Sequence, residues 1–178
     1  MATPTINAIG FCAHYSKQGD WAFEFALELT KRFNKRLNVF HFLSDPYDPS
    51  ENYITALPHS EKEKLAIAKE KELRLYYDEL AGDYLDVGFR VCYDKSWTEL
   101  HRCLVIREFQ VLVLGYTGHN VYFANKTIEK FAESFVSPAI LVGPGRPDEY
   151  YLNEQAALLV NQLGIKNYKW LRLEPEPL

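Results

Sequence analysis

The order of elements along this sequence predicts an α/β fold: a five-stranded, open parallel sheet with helices on both faces. Three observations carry that prediction. Short, mostly apolar runs at Ile6–Ala13, Leu37–Leu43, Leu85–Cys92, Gln110–Leu114 and Pro138–Val142 have the length and composition of buried strands. The segments between them place apolar residues at three- and four-residue spacing, the period of a helix with one buried face. Strand and helix alternate throughout, which calls for parallel strands joined by right-handed crossovers.

Each element has its own signals. After the first strand, the polar stretch from His14 to Asp20 reads as a loop, with Asp20 as helix N-cap. From Trp21, the residues Ala22, Phe25, Ala26, Leu29 and Phe33 make one apolar face, and Asn34 with Lys35-Arg36 suits the helix end. The second strand leads into a proline-rich loop over residues 44–59, long for a simple connection. Ser60-Glu-Lys-Glu63 has the spacing of a capping box and opens a surface helix. Its thin stripe is Ala66, Leu73, Tyr76 and Leu80, and Gly82 supplies a left-handed stop. A second capping box, Ser96-Trp-Thr-Glu99, opens the third helix, with Trp97, Leu100, Leu104 and Ile106 inward. The fourth helix spans Asn125–Phe135, with Ile128, Phe131, Ala132 and Phe135 on one face. Residues 1–143 thus form one α/β domain. Residues 144–178 are an extension, with a helix expected at Asn153–Leu163 before Gly164 and a strand at Tyr168–Leu173.

The bulk numbers exclude several classes of function. The chain has 178 residues, a net charge of −4 and no basic cluster free of acidic neighbours. That argues against nucleic acid as a partner, since backbone binding needs a concentrated basic surface. Cys12, Cys92 and Cys103 form neither a CxxC pair nor an even disulfide framework, which favours a reducing compartment. No signal peptide is apparent, and no apolar run approaches the roughly 20 residues needed to span a bilayer. A cytoplasmic protein is expected.

One stretch points to a ligand. Gln110–Leu114 runs into Gly115-Tyr-Thr-Gly118 and then a helix. Glycines that admit close backbone approach, ahead of a helix N-terminus, are a recurrent phosphate-binding arrangement. In open parallel sheets, ligands sit beyond the carboxyl ends of the strands, where the strand order reverses.

Two segments resemble the universal stress proteins, a group within the adenine-nucleotide α-hydrolase-like folds. Ala22–Lys31, AFEFALELTK, is similar to that family's first helix, which reads close to ALEYALELAK. Gly115-Tyr-Thr-Gly118, then Ile128-Glu-Lys-Phe and Ser137-Pro-Ala-Ile-Leu-Val, is similar to its ending of GSRG, GSVAEKVL and CPVLVV. The resemblance covers residues 6–143. It implies a universal-stress-type cytoplasmic regulator that binds ATP or another adenine nucleotide with Mg²⁺, through an acid after the first strand and glycines at Gly-x₂-Gly-x₉-Gly-Ser/Thr. Carried onto this chain, the site would comprise Ala13, His14, His41, Gly115, Gly118, His119, Asn125, Lys126 and Thr127. The chain departs from the motif in three places: His14 stands where the acid would be, the loop after Gly118 is short, and Asn125-Lys126 replaces Gly-Ser. Gly115 and Gly118 keep the close approach, whereas the replaced pair puts side chains where phosphates would lie.

Two functional readings follow: a nucleotide-responsive regulator, or a homodimeric interaction module of the same fold that binds no nucleotide. The dimer would form through the last core strand, as the family often does, with the extension covering or extending that edge. A metal site from His14, His119 and Cys12 lacks any ligand-spacing motif. His41 lies within a strand and reads as a core or rim histidine. No nucleophile elbow, Walker lysine or HExxH occurs, so no enzyme is expected.

Overall fold

The computed structural model of the chain describes residues 5–43, 49–93, 97–118, 122–123 and 126–171. Its elements run β1 (Ala8–Cys12), α1 (Lys17–Phe33), β2 (Arg36–Phe42), a 3-10 helix (Pro49–Ala56), α2 (His59–Ala81), β3 (Val87–Cys92), α3 (Trp97–Val105) and β4 (Val111–Gly115). A small antiparallel pair, β5 (Tyr122–Phe123) and β6 (Lys126–Thr127), precedes α4 (Ile128–Ser134) and β7 (Ala139–Val142). The extension supplies β8 (Tyr150–Leu152), α5 (Glu154–Ala157), α6 (Val160–Leu163) and β9 (Lys169–Trp170).

The main sheet has the order β3-β2-β1-β4-β7-β8-β9. Its first five strands are parallel, so the expected five-stranded parallel sheet is present. Two further strands lengthen it: β8 runs antiparallel to β7, and β9 runs parallel to β8. The free backbone edge of β7 is therefore filled by the chain's own extension, and pairing between copies there would fall to the two-residue outer strand β9.

The two faces carry two cores. On one, Phe11, Val39, Val113 and Ile140 meet Phe23 and Leu29 of α1, Leu73 and Tyr77 of α2, and Ala156 and Leu163 of the extension. Phe11, Phe23 and Tyr77 form a ring cluster with centroids 4.7–5.6 Å apart. Each such ring contributes roughly 2–3 kcal/mol by leaving water, with edge-to-face contacts adding to it. On the other face, Phe40, Leu112, Leu114 and Leu141 meet Leu100 and Cys103 of α3 and Ile128 and Phe131 of α4.

Several local expectations shift. α1 begins at Lys17, not Trp21, because Ser16 is the N-cap and its Oγ accepts from Gly19 N at 2.9 Å. Asp20 lies in the first turn and accepts instead from the Tyr76 hydroxyl at 2.7 Å. The Ser60 capping box does not form. α2 opens at His59, and the Pro58 carbonyl accepts from the N–H groups of Glu61 and Lys62. The buried stripe of α2 is Ala66, Leu73, Tyr77 and Ala81, with Leu80 exposed. Gly82 has a positive φ of 61° but a ψ of −121°, so it is not a left-handed helical cap. α4 starts at Ile128 with Thr127 as its cap, not at Asn125. Ile106 is exposed beyond the end of α3. The expected helix at Asn153–Leu163 is two short ones, α5 and α6. The Ser96 box and the side chains of residues 94–99 lie outside the described residues. Within the long loop, Ile54 of the 3-10 helix is buried with Leu43 and Ala66, so the described part of that loop covers the sheet edge.

Candidate functional site

The strand order reverses at β1, which neighbours β2 on one side and β4 on the other, so the carboxyl ends of β1 and β4 flank the switch point. The backbone there is tightly interlocked. A Cβ on Gly19 would sit 1.9 Å from the His14 carbonyl oxygen, so only glycine fits in this first turn of α1. A Cβ on Gly115 would lie 2.8 Å from Gly19 N and 2.9 Å from the Gln18 carbonyl. Gly143, at φ 118°, faces the Tyr116 carbonyl in the same way, with Gln18 beside it. Gln18 Nε2 donates to the Pro144 carbonyl at 3.0 Å. The close approach that Gly115 permits is thus taken up by the chain's own helix.

At the end of β1, Ala13 is buried and its N–H donates to the Phe40 carbonyl at 2.7 Å. His14 is half-buried, with Nδ1 2.8 Å from Ser16 Oγ. His41, only 3% exposed, has Nδ1 3.4 Å from the Ala13 carbonyl. The ring of Tyr15 lies between these groups and α2, 6.2 Å from His41 and 5.0 Å from Tyr76 by centroids, with Lys69 Nζ 5.9 Å above it. The buried Tyr77 hydroxyl approaches the His14 backbone without closing a hydrogen bond. Burial pushes the Tyr15 and Tyr77 hydroxyls above the usual tyrosine range, while acceptance by Asp20, aided by burial, pushes Tyr76 up to about 12.

Burial lowers both histidines to about 4, with Lys69 adding to the effect at His41. Both are neutral at pH 7 in the folded protein, whereas the unfolded chain takes up protons near pH 6.5. The stability these two histidines contribute is therefore full above pH 6.5 and is lost as pH falls from there to about 4. The slope is about 1.4 kcal/mol per pH unit for a fully desolvated histidine, and smaller for the part-exposed His14. Urea midpoints between pH 7 and 5 should fall more steeply for the wild type than for His41→Asn, whose amide can take the place of Nδ1. Parallel curves would remove His41 from the account.

The far side of the glycine turn divides into placed and unplaced residues. Tyr116 is buried, donates to Glu129 Oε1 at 2.6 Å and meets the Tyr151 ring edge-on. Gly118 has φ 111°, and a Cβ there would meet open space. His119 and Asn125 lie outside the described residues. Lys126 is exposed on β6. The Thr127 hydroxyl is committed to capping α4, accepting from Lys130 N at 3.2 Å. So Ala13, His14 and His41 are gathered at the end of β1, and Gly115 is covered by α1. Gln18, Gly19, Tyr15 and Gly143 complete the arrangement, and the sequence reading missed them. Gly19 and Gly143 were visible as glycines in loops, but which backbone each one faces is a tertiary matter.

Among the described residues, no group of three or more His, Cys, Asp or Glu side chains is placed to hold a metal ion. Cys12 is a buried free thiol whose pKa is raised by burial. No described helix is long and apolar enough to cross a membrane.

Neither a family model nor a curated protein sequence matches the chain. Among solved structures, it is similar to the universal stress protein UspA from Lactobacillus plantarum, at 16% identity over 93% of this chain and 97% of that one, with a TM-score of 0.43. It is also similar to a macrolide-efflux protein from Streptococcus pneumoniae, at 14% identity over 82% of this chain and a TM-score of 0.47. In that case the match spans only 55% of the other chain's length. Likenesses at this level bear on neither ligand nor activity, and the α/β class rests on the strand order itself.

Proposed function

We propose that the chain is a non-catalytic, cytoplasmic regulatory module of the universal-stress type that acts as a homodimer through protein contacts and does not hold an adenine nucleotide. The observation that supports this reading is the seating of Gln18 and Gly19 on Gly115, so that the close approach this glycine permits is made by the chain's own helix turn. The departures from the nucleotide motif at His14 and at Asn125-Lys126 support it from the sequence side, as does the use of Thr127 as a helix cap. The buried free cysteines are consistent with a reducing compartment.

The test is a thermal-shift titration with ATP and Mg²⁺. A ligand at one hundred times its dissociation constant stabilises the native state by about 2.7 kcal/mol, which moves a midpoint by several degrees. The expected result is no saturable rise up to millimolar ATP that depends on Gly118. A saturable rise that Gly118→Ala weakens would overturn the nucleotide-free reading. The dimer is tested separately by light scattering, where a monomer across the working concentration range would refute it.

One observation favours the nucleotide reading. Gly118, at φ 111°, leaves open space at the end of β4, as a turn that approaches a ligand would. Under that reading ATP stabilises the protein, and Gly118→Ala reduces the effect.

A further inference from the structure

At the opposite end of the sheet from the switch point, the amino ends of β1, β2 and β3 border a cleft of about 420 Å³. We propose that this cleft binds a small organic oxyanion, carrying a phosphate or carboxylate group, on the guanidinium groups of Arg36, Arg90 and Arg107. Strand alternation puts Arg36, Asn38 and Phe40 on the face of β2 that looks toward α3, and Gly88 and Arg90 on the same face of β3. Phe40 is fully buried, so the polar residues form the rim where this face reaches solvent.

The arginines are held by a built network. Arg36 donates through Nε to Asn38 Oδ1 and through Nη1 to Asp86 Oδ1, each at 2.9 Å. A Cβ on Gly88 would lie 2.2 Å from Arg36 Nη2, so the bare position in β3 is what lets the guanidinium lie flat against the strand. A glycine inside a strand sacrifices packing and commonly marks such a close approach. Asn38 Nδ2 donates to the Glu108 carbonyl, and Arg90 donates to the Glu108 carboxylate. These partners orient Arg36 and Arg90 while leaving each with unused N–H groups, since a guanidinium carries five.

Arg107 is the independent observation. It ends α3 at φ 65°, with Arg107 N bonded to the Leu104 carbonyl and Glu108 N to the Cys103 carbonyl. That is the Schellman position, where glycine is the usual occupant and a β-carbon is strained. A strained non-glycine residue calls for a use of its side chain. Arg107 lines both this cleft and a neighbouring one of about 350 Å³. Among the described residues, the acids paired to these arginines are Asp86, on Arg36, and Glu108, on Arg90. Three guanidiniums against two carboxylates leave one positive charge on a chain whose net charge is −4. Planar guanidinium forks bind carboxylates and phosphates in the same bidentate way, so the oxyanion is the recognised chemistry.

The experiment is a thermal-shift titration of the full chain with inorganic phosphate in one arm and succinate in the other, at constant low ionic strength. Phosphate also stabilises proteins by exclusion, without a site, so each arm is run alongside Arg107→Gly. The expected result is a saturable rise in at least one arm for the wild type. In Arg107→Gly the apparent dissociation constant should rise at least tenfold, while the unliganded midpoint stays at or above the wild type because the strain is gone. Arg107→Asn, which tolerates the left-handed conformation, should lose affinity likewise. The phosphate arm reports a phosphate ester as the natural ligand class, the succinate arm a carboxylic acid. No saturable rise in either arm, or unchanged affinity in both variants, would overturn the proposal. It stands apart from the switch-point reading, because a rise with ATP that Arg107→Gly abolishes belongs to this cleft, whereas one that survives in Arg107→Gly belongs to the switch point.

Discussion

Asn153→Ala is expected to destabilise the fold by about 4 kcal/mol, read from urea unfolding at pH 7, because one buried amide satisfies groups from three elements. Asn153 is 0% exposed. Its Oδ1 accepts from Ala139 N and from Ala156 N, both at 3.0 Å. The first bond completes the amino end of β7, and the second caps α5. Its Nδ2 donates to the carbonyls of Ala132 at 3.1 Å and Ser137 at 2.9 Å, closing the end of α4 and the turn into β7. Alanine removes this partner from Ala139 N and the Ser137 carbonyl, at roughly 1–3 kcal/mol for each that water cannot reach, leaves the Ala132 carbonyl with Phe135 N alone, and removes a cap worth about 1 kcal/mol. Asn153→Asp separates the two halves of the role, since it keeps the acceptor and loses the donor. At pH 7 its second oxygen would face the Ala132 and Ser137 carbonyls as a buried charge, so it should lose at least as much stability as alanine and recover part of it as pH falls and the carboxyl protonates. A loss below about 1 kcal/mol for the alanine variant would mean that the extension is not integral to the core.

That prediction also marks a limit of reading the chain in one dimension. The five core strands were legible because each is a short, mostly apolar run, and the polar residues inside them, Asn38 and His41 in β2 and Arg90 in β3, are too few to break the pattern. The face of α1 was legible for the same reason: Ala22, Ala26 and Leu29 repeat at helical spacing and are all buried. Capping was less legible, because several residues compete for each role. Ser16 displaced Asp20 once Gly19 was seen to offer it an N–H, and Asp20 was drawn to Tyr76 across the fold. In α2, Tyr76 and Leu80 fit the stripe as well as Tyr77 and Ala81 do by spacing alone. The sheet chose the second pair, since Tyr77 reaches Phe11 and Phe23. Asn153 was read only as the start of a helix, and nothing local hints that its amide would close β7. The site was half legible. Its address at the ends of β1 and β4 followed from the alternation of elements, but the helix turn that packs on Gly115 did not.

Gly115→Ala should therefore cost stability and not merely ligand affinity, by about 2–3 kcal/mol as overpacking against fixed backbone. The added methyl would meet Gly19 N at 2.8 Å and the Gln18 carbonyl carbon and oxygen at 2.9 Å. All three are main-chain atoms in the first turn of α1, so no flexible side chain can swing aside. Nor can that turn retreat easily. Gly19 is pressed against the His14 carbonyl, Ser16 caps it from below, and Gln18 is tied to Pro144. The backbone of Gly115 itself is in an ordinary extended strand, so conformational strain does not contribute, and the whole loss reports packing. Gly118→Ala provides the contrast: there the methyl meets open space, and any cost comes from the positive φ, roughly 1–2 kcal/mol. If Gly115 were kept for a phosphate alone, its alanine variant would unfold at the wild-type urea concentration. A shift of the midpoint to lower urea with an unchanged slope is the outcome that assigns this glycine to the contact between α1 and β4.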